Sequence, residues 1–309
     1  MNNQLTDTLL MVRPSNFGFN EEAFFSNSFQ NKPAENEKSF VQDLALKEFN
    51  GYVESLKALK VEVIVFDDFK DSLSPDSIFP NNWISMHQNG FLFQYSMLVE
   101  NRRKERRLDI VDYFQSNFGY TPIDLSGSEQ NENPSFLEGT GSMIFDYQSK
   151  KMYAAISPRT DETLTIDFAS RIGYEPIVFE AYGGKGEAIY HTNVMLCIGE
   201  TFAVIGLETI REDQRAMVKQ ALENDGKMII ELTNEQVYNH FAGNMLQIKN
   251  KNGERIIVMS QNAFESLEVK QLNKFKEMNH HLLHVPIPTI EKIGGGSVRC
   301  MIAEVFKPS

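Results

Sequence analysis

Apolar residues fall in short runs along the whole chain, and these runs alternate with longer stretches of helical spacing. Thr8-Leu9-Leu10-Met11-Val12 predicts a strand stopped by Arg13-Pro14. Residues 38–59 have helical periodicity and lead into a β-branched strand over 61–66. Residues 83–86 and 91–93 predict a hairpin around Gln88-Asn89-Gly90, a turn sequence. A helix is expected over 103–118, then strands over 143–145 and 152–156 and a helix over 162–172. Strands follow at 176–179, 194–198 and 202–205, then a helix at 211–223 and a strand at 227–231. The last part predicts a strand at 255–259, a helix at 265–275, a strand at 282–285, a glycine-rich turn and a strand at 301–305.

The class is therefore α/β. No low-complexity linker divides the pattern, so residues 1–309 read as one domain. Strand pairs followed by a helix recur, which suggests a repeated architecture, although no sequence repeat is evident. Apolar residues make up 41% of the chain, enough for a sizeable core, and the mean hydropathy is −0.34.

Charge narrows the partners. The net charge is −12, which argues against nucleic acid and against an anionic membrane surface, since both need clustered positive charge. The one basic cluster, Asn101-Arg102-Arg103-Lys104-Glu105-Arg106-Arg107, reads most simply as a solvated helix start. The N-terminal residues have no basic stretch followed by an apolar one, and no apolar run is long enough to span a bilayer. Two cysteines make no disulfide framework, so a reducing, cytoplasmic compartment is expected.

Candidate chemistry concentrates near the C-terminal end. Gly294-Gly295-Gly296-Ser297-Val298-Arg299-Cys300 puts a cysteine at the exit of a loop that can approach a ligand closely. A tight turn followed by an inert core cysteine fits those residues equally well. Of the six histidines, His191 stands at a loop-to-strand boundary in Tyr190-His191-Thr192-Asn193, after Gly183-Gly184-Lys185-Gly186. His280, His281 and His284 resemble a metal cluster, but no carboxylate or cysteine completes a known spacing. Cys197 lies on the strand that follows His191, roughly 20 Å away in an extended chain, and reads as a core residue. Glu138 sits in Phe136-Leu137-Glu138-Gly139-Thr140-Gly141-Ser142. Asp76, Asn81 and Asn82 lie among aromatics in Pro75-Asp76-Ser77-Ile78-Phe79-Pro80-Asn81-Asn82-Trp83. Each of these two segments also has an ordinary turn reading.

Taken in order, these motifs resemble the guanidine-modifying (amidinotransferase and arginine deiminase) superfamily: Pro-Asp-Ser-x-Phe, Leu-Glu-Gly, Ser-x-Arg-Thr, a mid-chain histidine, and Gly-Gly-Gly-Ser-x-Arg-Cys. The sequence is most similar to its citrulline-utilisation hydrolases, through Phe79-Pro80-Asn81-Asn82-Trp83, Asn101-Arg102-Arg103 and Tyr190-His191-Thr192-Asn193. The resemblance implies a five-bladed, pseudo-symmetric α/β propeller of ββαβ units with the active site on its axis. It implies Cys300 as nucleophile, His191 as acid and base, and Glu138 as the carboxylate that orients His191 and meets substrate nitrogens. It implies that Arg159 grips an α-carboxylate, that Asp76 lies near the α-amino group or the entrance, and that Arg102 or Arg103 is a second anchor. No metal and no organic cofactor are implied. The partner expected is a small amino acid, and a homo-oligomer is compatible with the sequence.

At two positions where the deiminases carry carboxylates that clamp a cationic guanidinium, this chain has Asn82 and Asn193. A buried cation wants an anionic partner, whereas an amide can donate to a neutral ureido carbonyl. The expected reaction is hydrolysis of citrulline to ornithine, ammonia and carbon dioxide through a covalent thiol intermediate. The alternatives are an arginine deiminase or dimethylarginine hydrolase, an amidinotransferase, and, in another class, a non-catalytic amino-acid sensor. A papain-like or caspase-like peptidase lacks its local cysteine signature.

Overall fold

The computed structural model describes residues 3–72, 74–278 and 280–308. The described residues contain β1 (Thr8–Arg13), α1 (Glu21–Phe24), α2 (Lys38–Ala58), β2 (Glu62–Asp67), β3 (Ile84–Met86), β4 (Phe91–Gln94), α3 (Leu108–Phe118) and β5 (Thr121–Asp124). The chain continues through α4 (Gly139–Ser142), β6 (Ile144–Asp146), β7 (Lys151–Ile156), α5 (Glu162–Ile172), β8 (Glu175–Glu180), β9 (Leu196–Ile198) and β10 (Phe202–Ile205). It ends with α6 (Glu212–Asn224), β11 (Met228–Glu231), α7 (Asn234–Tyr238), β12 (Leu246–Lys249), β13 (Arg255–Ser260), α8 (Gln261–Ser266), α9 (Val269–Glu277), β14 (His281–Val285) and β15 (Ala303–Glu304).

The strands form five three-stranded sheets with one connectivity. In each, two strands pair antiparallel and the second pairs parallel with a third reached through helix: β3-β4-α3-β5, β6-β7-α5-β8, β9-β10-α6-β11 and β12-β13-α8-α9-β14. The fifth unit joins the two ends of the chain. β15 pairs antiparallel with β1, and β1 runs parallel to β2 beyond α2. The first strands lie beside one another, β15 by β3, β6 by β9 and β9 by β12. This is the expected five-bladed α/β propeller.

A repeat becomes legible once the blades are superposed by connectivity. Each first strand is entered through a bulky residue followed by Ile or Leu: Trp83-Ile84, Met143-Ile144, Met195-Leu196, Met245-Leu246 and Met301-Ile302. All ten side chains are buried. The residue just before each pair is Asn82, Ser142, Val194, Asn244 and Cys300. Blade entry thus places one variable position per blade around the axis, on a fixed apolar anchor. The anchor is too short and too tolerant for the repeat to stand out in the linear sequence.

Other expectations are corrected in detail. The helix expected over 103–118 is a 3₁₀ segment, Glu100–Glu105, followed by α3. The basic cluster in front of it is not a solvated face: Arg102, Glu105 and Arg107 are buried, and Arg106 pairs with Glu129. The helical path breaks at Arg106 and Arg107, whose backbone is extended. The helix expected over 265–275 is two helices, because Ser260 and Glu268 each cap a new N-terminus. Residues 194–198 begin as a 3₁₀ turn, Thr192–Val194, before β9. The last strand is only β15, so Cys300 and Met301 lie in the turn before it. β5 contains Pro122 and was not expected as a strand; it lies at a sheet edge, where proline is tolerated.

Candidate functional site

Turns entering the blades meet at one small pocket. Asp76, Asn82, Arg102, Arg159, His191 and Cys300 line it, with Phe79, Tyr190 and the three glycines. Glu138 and Asn193 touch that wall through hydrogen bonds to His191 and Cys300. All eight residues singled out from the sequence are therefore in one place. A larger surface groove beside Phe29, Tyr238 and Phe241 contains none of them.

Cys300 is buried in the turn that closes with its N–H on the Ser297 carbonyl at 3.0 Å. Gly295 ahead of it has φ of +62°, the left-handed conformation that the triple-glycine sequence allows. The sulfur accepts from Asn193 Nδ2 at 3.4 Å and from Asn244 Nδ2 at 3.3 Å. Burial pushes the Cys300 thiol up, while the Ser297 backbone and the two amides pull the other way. Cys197 sits on β9 opposite Val204 in the apolar core, and burial raises its thiol to about 12. It is a core residue.

Glu138 lies at the start of α4 and is fully buried. Its Oε2 accepts from His191 Nε2 at 2.8 Å and from Arg159 Nη1 at 3.4 Å, and its Oε1 accepts the Leu98 N–H at 3.0 Å. Burial would raise this carboxyl, but Arg159, His191 and Arg102 outweigh it and hold it at about 2. Burial depresses His191 to about 4, against the pull of Glu138. At neutral pH the pair is thus a carboxylate and a neutral imidazole whose Nε2 carries the proton. Nδ1 is then the acceptor.

Two arginines flank this pair. Arg102 forms a fork on Glu105 at 2.8 and 2.9 Å, and its Nη1 donates to Asn82 Oδ1 at 2.9 Å. Asp76 Oδ2 stands 3.8 Å from Arg102 Nε and accepts from Asn20 Nδ2 at 2.8 Å. Arg159 reaches Ser26 Oγ at 2.7 Å and the Ala23 carbonyl at 3.3 Å, with its guanidinium 5.3 Å from the Tyr190 ring centre. Burial raises the Asp76 carboxyl, and Arg102 opposes it.

Two buried oxygens here have no hydrogen-bond partner: Asp76 Oδ1 and Asn193 Oδ1. Buried polar atoms are normally satisfied, so Asp76 Oδ1, on a residue that lines the pocket, is set up for a ligand N–H, whereas Asn193 lies behind the lining. Asn82 is oriented differently. Arginine only donates, so the Asn82 oxygen must face Arg102 and its NH₂ faces elsewhere, with one bond to Asn81 Oδ1 at 3.1 Å. Among the described residues no group of histidine, cysteine and carboxylates could hold a metal ion, and no helix is long and apolar enough to cross a membrane.

Sequence reasoning missed Asn244, Glu105, Asn20 and Ser26. Asn244 had a usable signal, because Asn244-Met245-Leu246 aligns with Cys300-Met301-Ile302. The others come from loops whose approach depends on the tertiary fold.

Comparison with known proteins agrees with this architecture. The substrate-bound N-terminal domain of ArgZ, an arginine dihydrolase of the ornithine-ammonia cycle in Cyanobacteria, superposes with a TM-score of 0.75 at 17% identity, over 97% of this chain and 98% of that one. AgrE in complex with L-arginine gives 0.75 at 16% identity, and this chain spans 40% of its length. A dimethylarginine dimethylaminohydrolase variant, as its adduct with S-methyl-L-thiocitrulline, gives 0.65 at 17% identity, over 97% and 99% of the two chains. No curated protein sequence matches the chain. The model of the family described as N,N-dimethylarginine dimethylhydrolase, eukaryotic, matches residues 13–307. Matched over nearly its whole length, the chain belongs to that family, a group of hydrolases within the amidinotransferase superfamily.

Proposed function

We infer that the protein is a cysteine hydrolase of the terminal ureido group of citrulline. Cys300 Sγ attacks the ureido carbon. The thiol proton passes to His191, which gives it to the leaving nitrogen of ornithine. The C–N bond breaks and an S-carbamoyl enzyme remains. Water, deprotonated by His191, displaces the sulfur, and the carbamate released decomposes to ammonia and carbon dioxide. One citrulline and one water give ornithine, ammonia and carbon dioxide, so the atoms balance.

Glu138 keeps the proton of the neutral imidazole on Nε2 and stabilises the imidazolium that forms in between. Asp76 Oδ1 is suited to an α-ammonium group, and Arg159 to an α-carboxylate once it exchanges its Ser26 contact for the substrate.

One observation carries the choice of citrulline: the Asn82 amide is held by Arg102 with its oxygen turned away, so the one N–H of its NH₂ not given to Asn81 is left to donate. A ureido group offers a carbonyl to that NH₂. The earlier expectation that Asn193 donates to the substrate is revised, since its N–H groups face the sulfur. Arginine dihydrolases lend general support. Which C–N bond breaks first is open in such a reaction, so they support hydrolysis at a guanidino or ureido carbon and not citrulline in particular. The second reading, a guanidino substrate such as arginine or dimethylarginine, draws on the family match and on the two acids Asp76 and Glu138.

Calorimetric titration of the Cys300→Ala variant separates the two readings without turnover. Citrulline should bind at least tenfold more tightly than arginine or dimethylarginine. Tighter binding of either guanidino compound would overturn the substrate assignment while leaving the thiol chemistry in place.

A further inference from the structure

The Cys300 sulfur is touched by an amide to which the reaction above gives no part. Asn244 is fully buried. Its Oδ1 accepts the Arg299 backbone N–H at 3.0 Å, which fixes the oxygen end of the amide. Nδ2 donates to the Asn193 carbonyl at 2.9 Å and to Cys300 Sγ at 3.3 Å. Every polar atom of the side chain is therefore committed, and one N–H is aimed at sulfur.

The position follows from the blade repeat. Asn244 occupies in its blade the place that Cys300 occupies in the next, just before the Met-Leu or Met-Ile anchor. Gly243 allows the close approach: a Cβ there would lie 2.4 Å from the Val194 carbonyl oxygen of the neighbouring blade. The glycine lets two blade entries touch, and the amide is delivered to the nucleophile.

We propose that Asn244 is a catalytic residue, a preset neutral N–H donor that holds negative charge on the Cys300 sulfur before it attacks and when it leaves. The proposal rests on the reading of Cys300 as nucleophile. A thiolate in a buried site is poorly solvated, and a hydrogen bond to the charged form favours it. An amide does this without the strong attraction of a cation, so the sulfur stays free to reach a carbon. Asn193 supplies a second donor at 3.4 Å. No proton moves through either amide, and no bond of Asn244 is made or broken.

The test is the pH dependence of iodoacetamide alkylation, with mass spectrometry locating the label, in wild type, Asn244→Ala and the isosteric Asn244→Asp. Asn244→Asp keeps the volume and the acceptor for the Arg299 N–H, so it guards against a variant that merely fails to fold. The wild type should label at Cys300. In both variants the midpoint should move up by about one pH unit or more, a roughly tenfold slower reaction at neutral pH, with an unchanged rate at the alkaline plateau. Turnover should fall in kcat with KM nearly unchanged, because Asn244 does not line the cavity. Variants that label with the wild-type midpoint would overturn the proposal and leave Cys300 as nucleophile. A wild-type Cys300 that does not label at any pH would remove the thiol reading beneath it as well.

Discussion

Arg102 shows how far a side chain can depart from what its neighbours in sequence imply. It stands in a basic run, where solvation is the usual outcome, yet it is buried and forks onto Glu105. Removing one partner of a buried ion pair strands the other charge. Arg102→Ala should therefore cost about 3–5 kcal/mol and release the Asn82 amide, whereas exposed Lys104→Ala should change stability by less than about 0.5 kcal/mol. Urea denaturation of both variants measures the contrast, and equal effects would return the run to the surface. The same contrast applies to charge states. Glu138 at about 2 and His191 at about 4 are both fixed at neutral pH. The acid limb of kcat/KM due to His191 should lie near pH 4 rather than near the ordinary histidine value. A limb at 6–7 would mean that the imidazole is far better solvated than its surroundings allow.

Elements carry these side chains, and here the sequence was readable in part. Strands such as β1, β7 and β10 are apolar runs between turn residues, and helices α5 and α6 have clear spacing. The pieces that form the cavity wall were harder. α4 is one turn of Gly139-Thr140-Gly141-Ser142 with no periodicity to read, and its form depends on packing against the turns at Pro80–Asn82 and Thr192–Val194. Cys300, His191 and Glu138 stand beside glycine-rich turns that also have ordinary readings, and their roles were legible through the order of motifs that carries the family resemblance. Asn244 was not, because an isolated asparagine in a loop has many ordinary explanations and only the blade repeat singles it out. α4 also yields a prediction. A Cβ at Gly141 would lie 2.5 Å from Asn82 Nδ2 and 2.8 Å from His191 Nδ1, so Gly141→Ala must displace the amide, the imidazole or both. Stability should fall by about 1–3 kcal/mol, and kcat by about 100-fold, as expected for a shift of roughly 1 Å in a reacting group. Kinetics together with a thermal melt check it. A melt that shifts with kcat intact would show that α4 yields instead.

The whole molecule closes by pairing its ends, and that closure ties stability to the axis where the site lies. β15 joins β1, and Val305 bridges to Met86 of the neighbouring blade. Neither strand could be assigned a partner from sequence, since the pairing spans almost the full chain. The fold also buries His87, which bonds Ser85 Oγ at 2.8 Å among aromatic rings, and burial lowers it to about 4. A base depressed on folding binds more protons when unfolded, over the window between its folded and unfolded values. Stability should thus be lost as pH falls from about 6.5 to about 4, by about 3 kcal/mol for His87. Denaturation of wild type and His87→Phe at pH 7 and pH 4.5 should show a shallower loss in the variant, and parallel curves would contradict it. The central claim, that Cys300 hydrolyses a ureido carbon, is met most directly by turnover. Wild type and Cys300→Ala are each incubated with citrulline, arginine and dimethylarginine, and ornithine, citrulline and ammonia are quantified. Ornithine and ammonia in equal amounts from citrulline, with wild type only, is the predicted result. Citrulline accumulating from arginine or dimethylarginine, with none consumed, would contradict it.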